Sequence, residues 1–135
     1  MPVDARLTEV PDLAPGPGYA HAVVTSGRLA FVSGQVAIDG DGELVGAGDV
    51  AAQARQAMRN LRAVLRELGA DWDNVVRFGW YLLDVGEVQA IRDARDEFIR
   101  PVLGEQANPA STLVEVSSLF RPGFLVEVDA VVALP

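Results

Sequence analysis

Residues 50–68 constrain this chain more than any other stretch. Ala54, Ala57, Met58, Leu61, Val64, Leu65 and Leu68 recur with the spacing of one face of an α-helix. The opposite face carries Gln53, Arg55, Gln56, Arg59, Arg62 and Arg66. Asp49 stands where an N-cap belongs, and Gly69 where a left-handed C-terminal residue ends a helix. A helix with one apolar stripe must bury it against one neighbour. The runs on either side alternate like strands, so that neighbour is a sheet.

The remaining elements follow in order. A weak strand is predicted at 6–10, then a loop with Pro11, Pro15, Gly16, Pro17 and Gly18. Extended runs at 19–24 and 28–33 flank Ser26-Gly27 and read as a hairpin. Gly34 interrupts the second run, as a glycine does at a bulge or a close approach. A strand at 75–83 places Phe78, Trp80 and Leu82 on one face and Arg77, Gly79, Tyr81 and Leu83 on the other. A second helix is predicted over 87–99, with Val88, Ile91, Ala94 or Arg95, and Phe98 inward, and Pro101 ending it. A polar loop at 104–108 leads to Pro109 and strands at 112–119 and 124–134, expected to pair as a hairpin around Pro122-Gly123.

This order predicts one α+β domain over residues 1–135, a single mixed sheet with two helices on one face. The other face needs cover. One phasing of the strands puts Val114, Val116, Val126 and Val128 there, so subunits are expected to associate across it.

Composition limits function. There is no cysteine, which excludes thiolate chemistry and disulfides and fits a cytoplasmic protein. The formal net charge is −8, which disfavours nucleic-acid partners. No apolar run is long enough for a membrane span. His21 is the lone histidine, so a His/Cys zinc site is excluded and no cofactor or metal is expected; Asp39, Asp41 and Glu43 read as a solvated turn. A Ser–His–acid relay would need His21 as base, and a lone strand histidine is more often structural. Glycine-rich nucleotide motifs are absent, and the aromatics are too scattered for a base-stacking platform. Carboxylates remain: Glu115, Glu127 and Asp129 lie in the final strands. Glu127 and Asp129 share one face, opposite Val126, Val128 and Ala130. Solvent exposure is the expectation for Asp129; Glu127 is the better functional candidate.

The pattern Tyr19, Ser33-Gly34-Gln35, Pro109-Ala110-Ser111-Thr112, Val114-Glu115-Val116 and Val126-Glu127-Val128 resembles the YjgF/RidA (Rid) family over about residues 6–133. The resemblance implies a chorismate-mutase-like fold and a homotrimer with clefts between subunits. It implies small-molecule chemistry, hydrolysis of reactive enamines and imines such as 2-aminoacrylate. It implies roles for Tyr19 in the pocket, Ser33 and Gly34 as donors, and Glu127 in positioning water. Deaminating members carry an arginine two residues after the proline to grip the substrate carboxylate, where this chain has Ser111. Their pocket asparagine is replaced here by Arg92, which either restores the missing cation or is a solvated helix charge. Weak or absent 2-aminoacrylate turnover is expected, with hydrolysis or tautomerisation of an altered imine-like substrate. The alternative is a non-catalytic trimer that binds a metabolite or partner. Ribonuclease activity ranks lower, given the acidic balance.

Overall fold

A computed structural model describes residues 3–105 and 107–135. Gln106, within the expected polar loop, lies outside the described residues, as do Met1 and Pro2. The elements are β1 (Val3–Leu7), β2 (Ala22–Thr25), β3 (Leu29–Gln35), α1 (Val50–Glu67), β4 (Val75–Leu82), α2 (Val88–Leu103), β5 (Ala110–Glu115) and β6 (Val126–Ala133).

The long amphipathic helix forms as its sequence dictates. Asp49 accepts from the Ala52 N–H at 3.1 Å, and Gly69 takes φ +70° just past the end. Ala54, Ala57, Met58, Leu61 and Leu65 are buried. Gln53 is buried with them. Its amide donates to Gly46 O (3.1 Å) and Gly123 O (2.8 Å), and its carbonyl accepts from the Leu125 N–H (2.8 Å). That amide ties the approach to β6 onto the first turns of α1.

Four strands form the main sheet in the order β3-β6-β4-β5, and β1 and β2 pair separately. β6 is antiparallel to both β3 and β4, and β4 is parallel to β5. Both helices cover one face, where Phe78, Trp80, Leu82, Val126, Val128, Ala130 and Val132 meet the buried stripes of α1 and α2. This is the α+β arrangement expected, two helices on a mixed sheet with β4 phased as its alternation indicates. The single sheet expected is corrected to two, since β1 and β2 form a ladder of their own.

Both expected hairpins are wrong. β2 pairs with β1 and not with β3, while β3 joins β6. β5 and β6 flank β4 on opposite sides and do not touch as a ladder. The turn residues are real: Gly27 and Gly123 take φ +86° and +93°. A turn fixes local direction only. Pairing follows burial, and β6, apolar along one whole face, belongs in the sheet interior. The phase that put Val126 and Val128 on the open face is also corrected: both are fully buried beneath the helices.

Pro101 does not end α2, which runs on to Leu103. A proline so near the C-terminal end removes only one helical donor, and Gly104 N–H closes the end on Arg100 O at 2.9 Å. No helix among the described residues is long and apolar enough to cross a membrane.

Candidate functional site

The loop before β2 is fastened to the start of β5. Ala20 N–H donates to Pro109 O at 3.0 Å, and Ala20 and Ala110 form an isolated parallel bridge. Arg6 reinforces the join, with Nη1 donating to Asn108 O at 2.7 Å. Burial lowers the Arg6 pKa, partly opposed by nearby Asp73. Tyr19 is thus held beside the residues that follow Pro109. Its ring packs on Gly16, where an added Cβ would lie 2.4 Å from Cε2. His21 meets the same ring edge-on and is hydrogen-bonded at Nε2 to Ala14 O (3.0 Å), a structural part.

Between this loop, β5 and α2 opens a pocket of about 410 Å³. Tyr19, Arg92, Arg95 and Ser111 line it, and buried Trp80 and Ile91 supply apolar surface. An apolar cavity with a few converging polar groups is the usual form of a small-molecule site.

The other expected site residues lie elsewhere. Glu127 pairs across the ladder with Tyr81, on the face away from the helices; Ser111 pairs with Phe78, on the helix side. Sheet neighbours in register share a face, so one chain does not bring Ser111 and Glu127 together. Gly34 does meet Glu127. It sits in a bulge between Val32 and Gln35, and a Cβ there would lie 2.1 Å from Glu127 Oε2. Ser33, beside it, is exposed. Desolvation raises the pKa of the Glu127 carboxyl, and the nearby Asp129 charge adds to it.

Asp129 is not the free solvent-facing carboxylate expected. It accepts from the Tyr81 hydroxyl at 2.9 Å and stands 3.7 Å from Arg77 Nη1. The bond to Asp129 also raises the Tyr81 pKa, because the phenol proton is held between two oxygens. Glu115 caps the turn after β4, accepting from the Val85 N–H at 3.0 Å.

The polar side chains of the pocket, Thr112 among them, thus include one that the helical pattern assigns to the core. Arg95 is 8% exposed. The available signal was a charged residue on the inward stripe of α2, one turn after Ile91. Asp39, in the turn read as solvated, accepts from the backbone N–H groups of Asp41 and Glu43.

The sequence profile of the family described as Endoribonuclease L-PSP matches residues 11–134. A RutC family protein of Synechocystis is 37% identical over 123 residues, covering 90% of each chain. Human 2-iminobutanoate/2-iminopropanoate deaminase is 31% identical over 134 residues, covering 96% of this chain and 92% of that one. The crystal structure of YyfB from Yersinia pestis, described as a member of the conserved Rid protein family, superposes with a TM-score of 0.83 at 34% identity, covering 96% of this chain and 98% of that one. A match along nearly the whole length, in both sequence and backbone, places this chain in the YjgF/RidA (Rid) family.

Proposed function

We propose that this protein is a Rid-type imine or enamine hydrolase working in clefts between subunits of a homotrimer. Tyr19, Arg92 and Ser111 of one subunit and Ser33, Gly34 and Glu127 of the next would line each cleft. The pocket on the β5–α2 side carries this reading. It is of metabolite size and contains three of the residues that the family resemblance singles out. The open sheet face supports a second subunit: Phe31 is 78% exposed there and Val114 42%.

In the reaction, water adds to the imine carbon and the C–N bond then breaks, giving a ketone and ammonia. Glu127 takes a proton from the water and passes it to the nitrogen as the hydroxyl adds, then takes the proton of that hydroxyl and gives it to the nitrogen as the C–N bond breaks. A carboxyl with raised proton affinity suits a group that must do both. The Gly34 N–H stabilises negative charge as it develops, and Tyr19 and Ser111 hydrogen-bond the substrate. With serine at position 111, turnover of 2-aminoacrylate is weak, and an altered imine is the preferred substrate. A net charge of −8 argues against RNA as substrate, despite the family's description.

The test supplies freshly generated 2-aminoacrylate and 2-iminobutanoate and follows ketoacid release. Slow release above the buffer rate, lost in Glu127→Gln, is expected. No acceleration for either compound would remove the hydrolytic reading and favour a metabolite-binding trimer.

A further inference from the structure

We propose that Arg95 is the anion anchor of this pocket, binding the carboxylate of a small organic acid from the α2 wall. The inference rests on the pocket being the ligand site, and it gives that ligand a charge.

A guanidinium at 8% exposure is costly to desolvate unless its donors are used. Among the described residues its one side-chain hydrogen bond runs from Nε to Asp96 Oδ1, at 3.0 Å. Asp96 is itself shared, since Arg100 Nε approaches the same oxygen at 3.5 Å. One half-exposed carboxylate therefore faces two cations, and positive charge is left over. The Nε bond fixes the plane of the Arg95 group and leaves Nη1 and Nη2 as the free end of the fork. That pair of donors is spaced to take both oxygens of one carboxylate.

The surroundings favour an anion. Arg92 lines the same pocket, and no Asp or Glu does among the described residues. Ser111 and Tyr19 add hydroxyls without charge, while Trp80 and Leu113 add apolar surface. Gly18 presses on the guanidinium from the loop side, where a Cβ would lie 2.6 Å from Nη2. Arg95 is thus held from two sides, and the fork needs little ordering when a ligand arrives. Arg92, less buried, is the weaker contributor.

The experiment titrates the protein with 2-oxobutanoate and with its neutral analogue 2-oxobutanamide, using tryptophan fluorescence because Trp80 lines the pocket. Wild type, Arg92→Met, Arg95→Lys and Arg95→Met are compared, with circular dichroism reporting folding. Wild type is expected to prefer the acid about 10- to 100-fold, the range for a charged hydrogen-bonded pair. Arg95→Met abolishes that preference, Arg95→Lys keeps part of it, and Arg92→Met keeps most. A wild type that binds neither compound, or binds both equally, overturns the proposal. So does a preference that survives Arg95→Met or disappears in Arg92→Met. If Arg95→Met does not fold, the wild-type and Arg92→Met titrations still decide. Ketoacid release from 2-iminobutanoate, measured on the same samples, separates the two ideas. Charge preference without hydrolysis sustains the anchor and retires the enzyme; hydrolysis without charge preference does the reverse.

Discussion

Gly18 lies against Arg95 so closely that a single added carbon would stand 2.6 Å from Nη2. Gly18 also holds φ +78°, a conformation natural only to glycine. Gly18→Ala is therefore expected to lower stability by about 1–2 kcal/mol through backbone strain. It should also push the guanidinium aside and weaken 2-oxobutanoate binding more than 2-oxobutanamide binding. Urea midpoints and the two titrations check this; equal weakening for both compounds would show that the guanidinium had not moved.

Ser111→Arg adds a third guanidinium to the pocket, on its β5 wall, beside Arg92 and Arg95. Turnover of 2-aminoacrylate is expected to rise about tenfold or more, as a charge-assisted contact to the substrate carboxylate is worth roughly 1.5–3 kcal/mol. Initial rates of ketoacid release measure it. An unchanged rate would mean that more than the anchor separates this chain from its deaminating relatives.

Glu127 gives the protein a pH signature. Its pKa is raised from 4.5 in the folded chain, chiefly by burial, so the native state holds that proton more tightly than the unfolded one. The stabilisation this affords is complete below about pH 4.5 and is lost as pH rises through the folded-state value. Glu127→Gln should remove that loss and stabilise the protein at pH 7 relative to pH 4, compared with wild type. Solvent screens a part-exposed carboxyl, so a few tenths of a kcal/mol is the expected size. Denaturant midpoints at the two pH values test the sign, and a wild type more destabilised than the variant at pH 4 would contradict it.

Gln53→Leu removes three hydrogen bonds at once, leaving the Leu125 N–H and the carbonyls of Gly46 and Gly123 without their amide partner. The loss is expected to be about 2–4 kcal/mol, typical of breaking a buried polar network. A fall in the urea midpoint at unchanged slope is the readout.

Phe31→Asp puts a charge on the open sheet face, where Phe31 is 78% exposed. Sedimentation should show trimer for wild type and dissociation for the variant, since a carboxylate buried between subunits has no partner. A monomeric wild type would remove the shared cleft.

Much of the architecture was legible in local patterns. The cap at Asp49, the stripe of α1, the alternation of β4 and the bulge at Gly34 each follow from a few neighbouring residues. Strand partners do not. Ser26-Gly27 and Pro122-Gly123 are genuine turns, but which strands pair depends on burying β6 along one whole face, a property of the assembled sheet. The candidate site was legible only in part, because Tyr19 and Ser111 come to line one pocket through a main-chain bridge between Ala20 and Ala110 that leaves no mark on side-chain identity. Arg95 was overlooked for a related reason. On a helical wheel it occupies a core position, and only the cavity beside it turns a core position into a wall.

That bridge between Ala20 and Ala110 makes its attachment with backbone atoms alone. The seat of Tyr19 is therefore indifferent to what side chain stands at position 111. Evolution can exchange the residue there, and with it the kind of molecule admitted, while leaving the aromatic gatepost standing. Specificity in this fold can drift by single codons without rebuilding the scaffold.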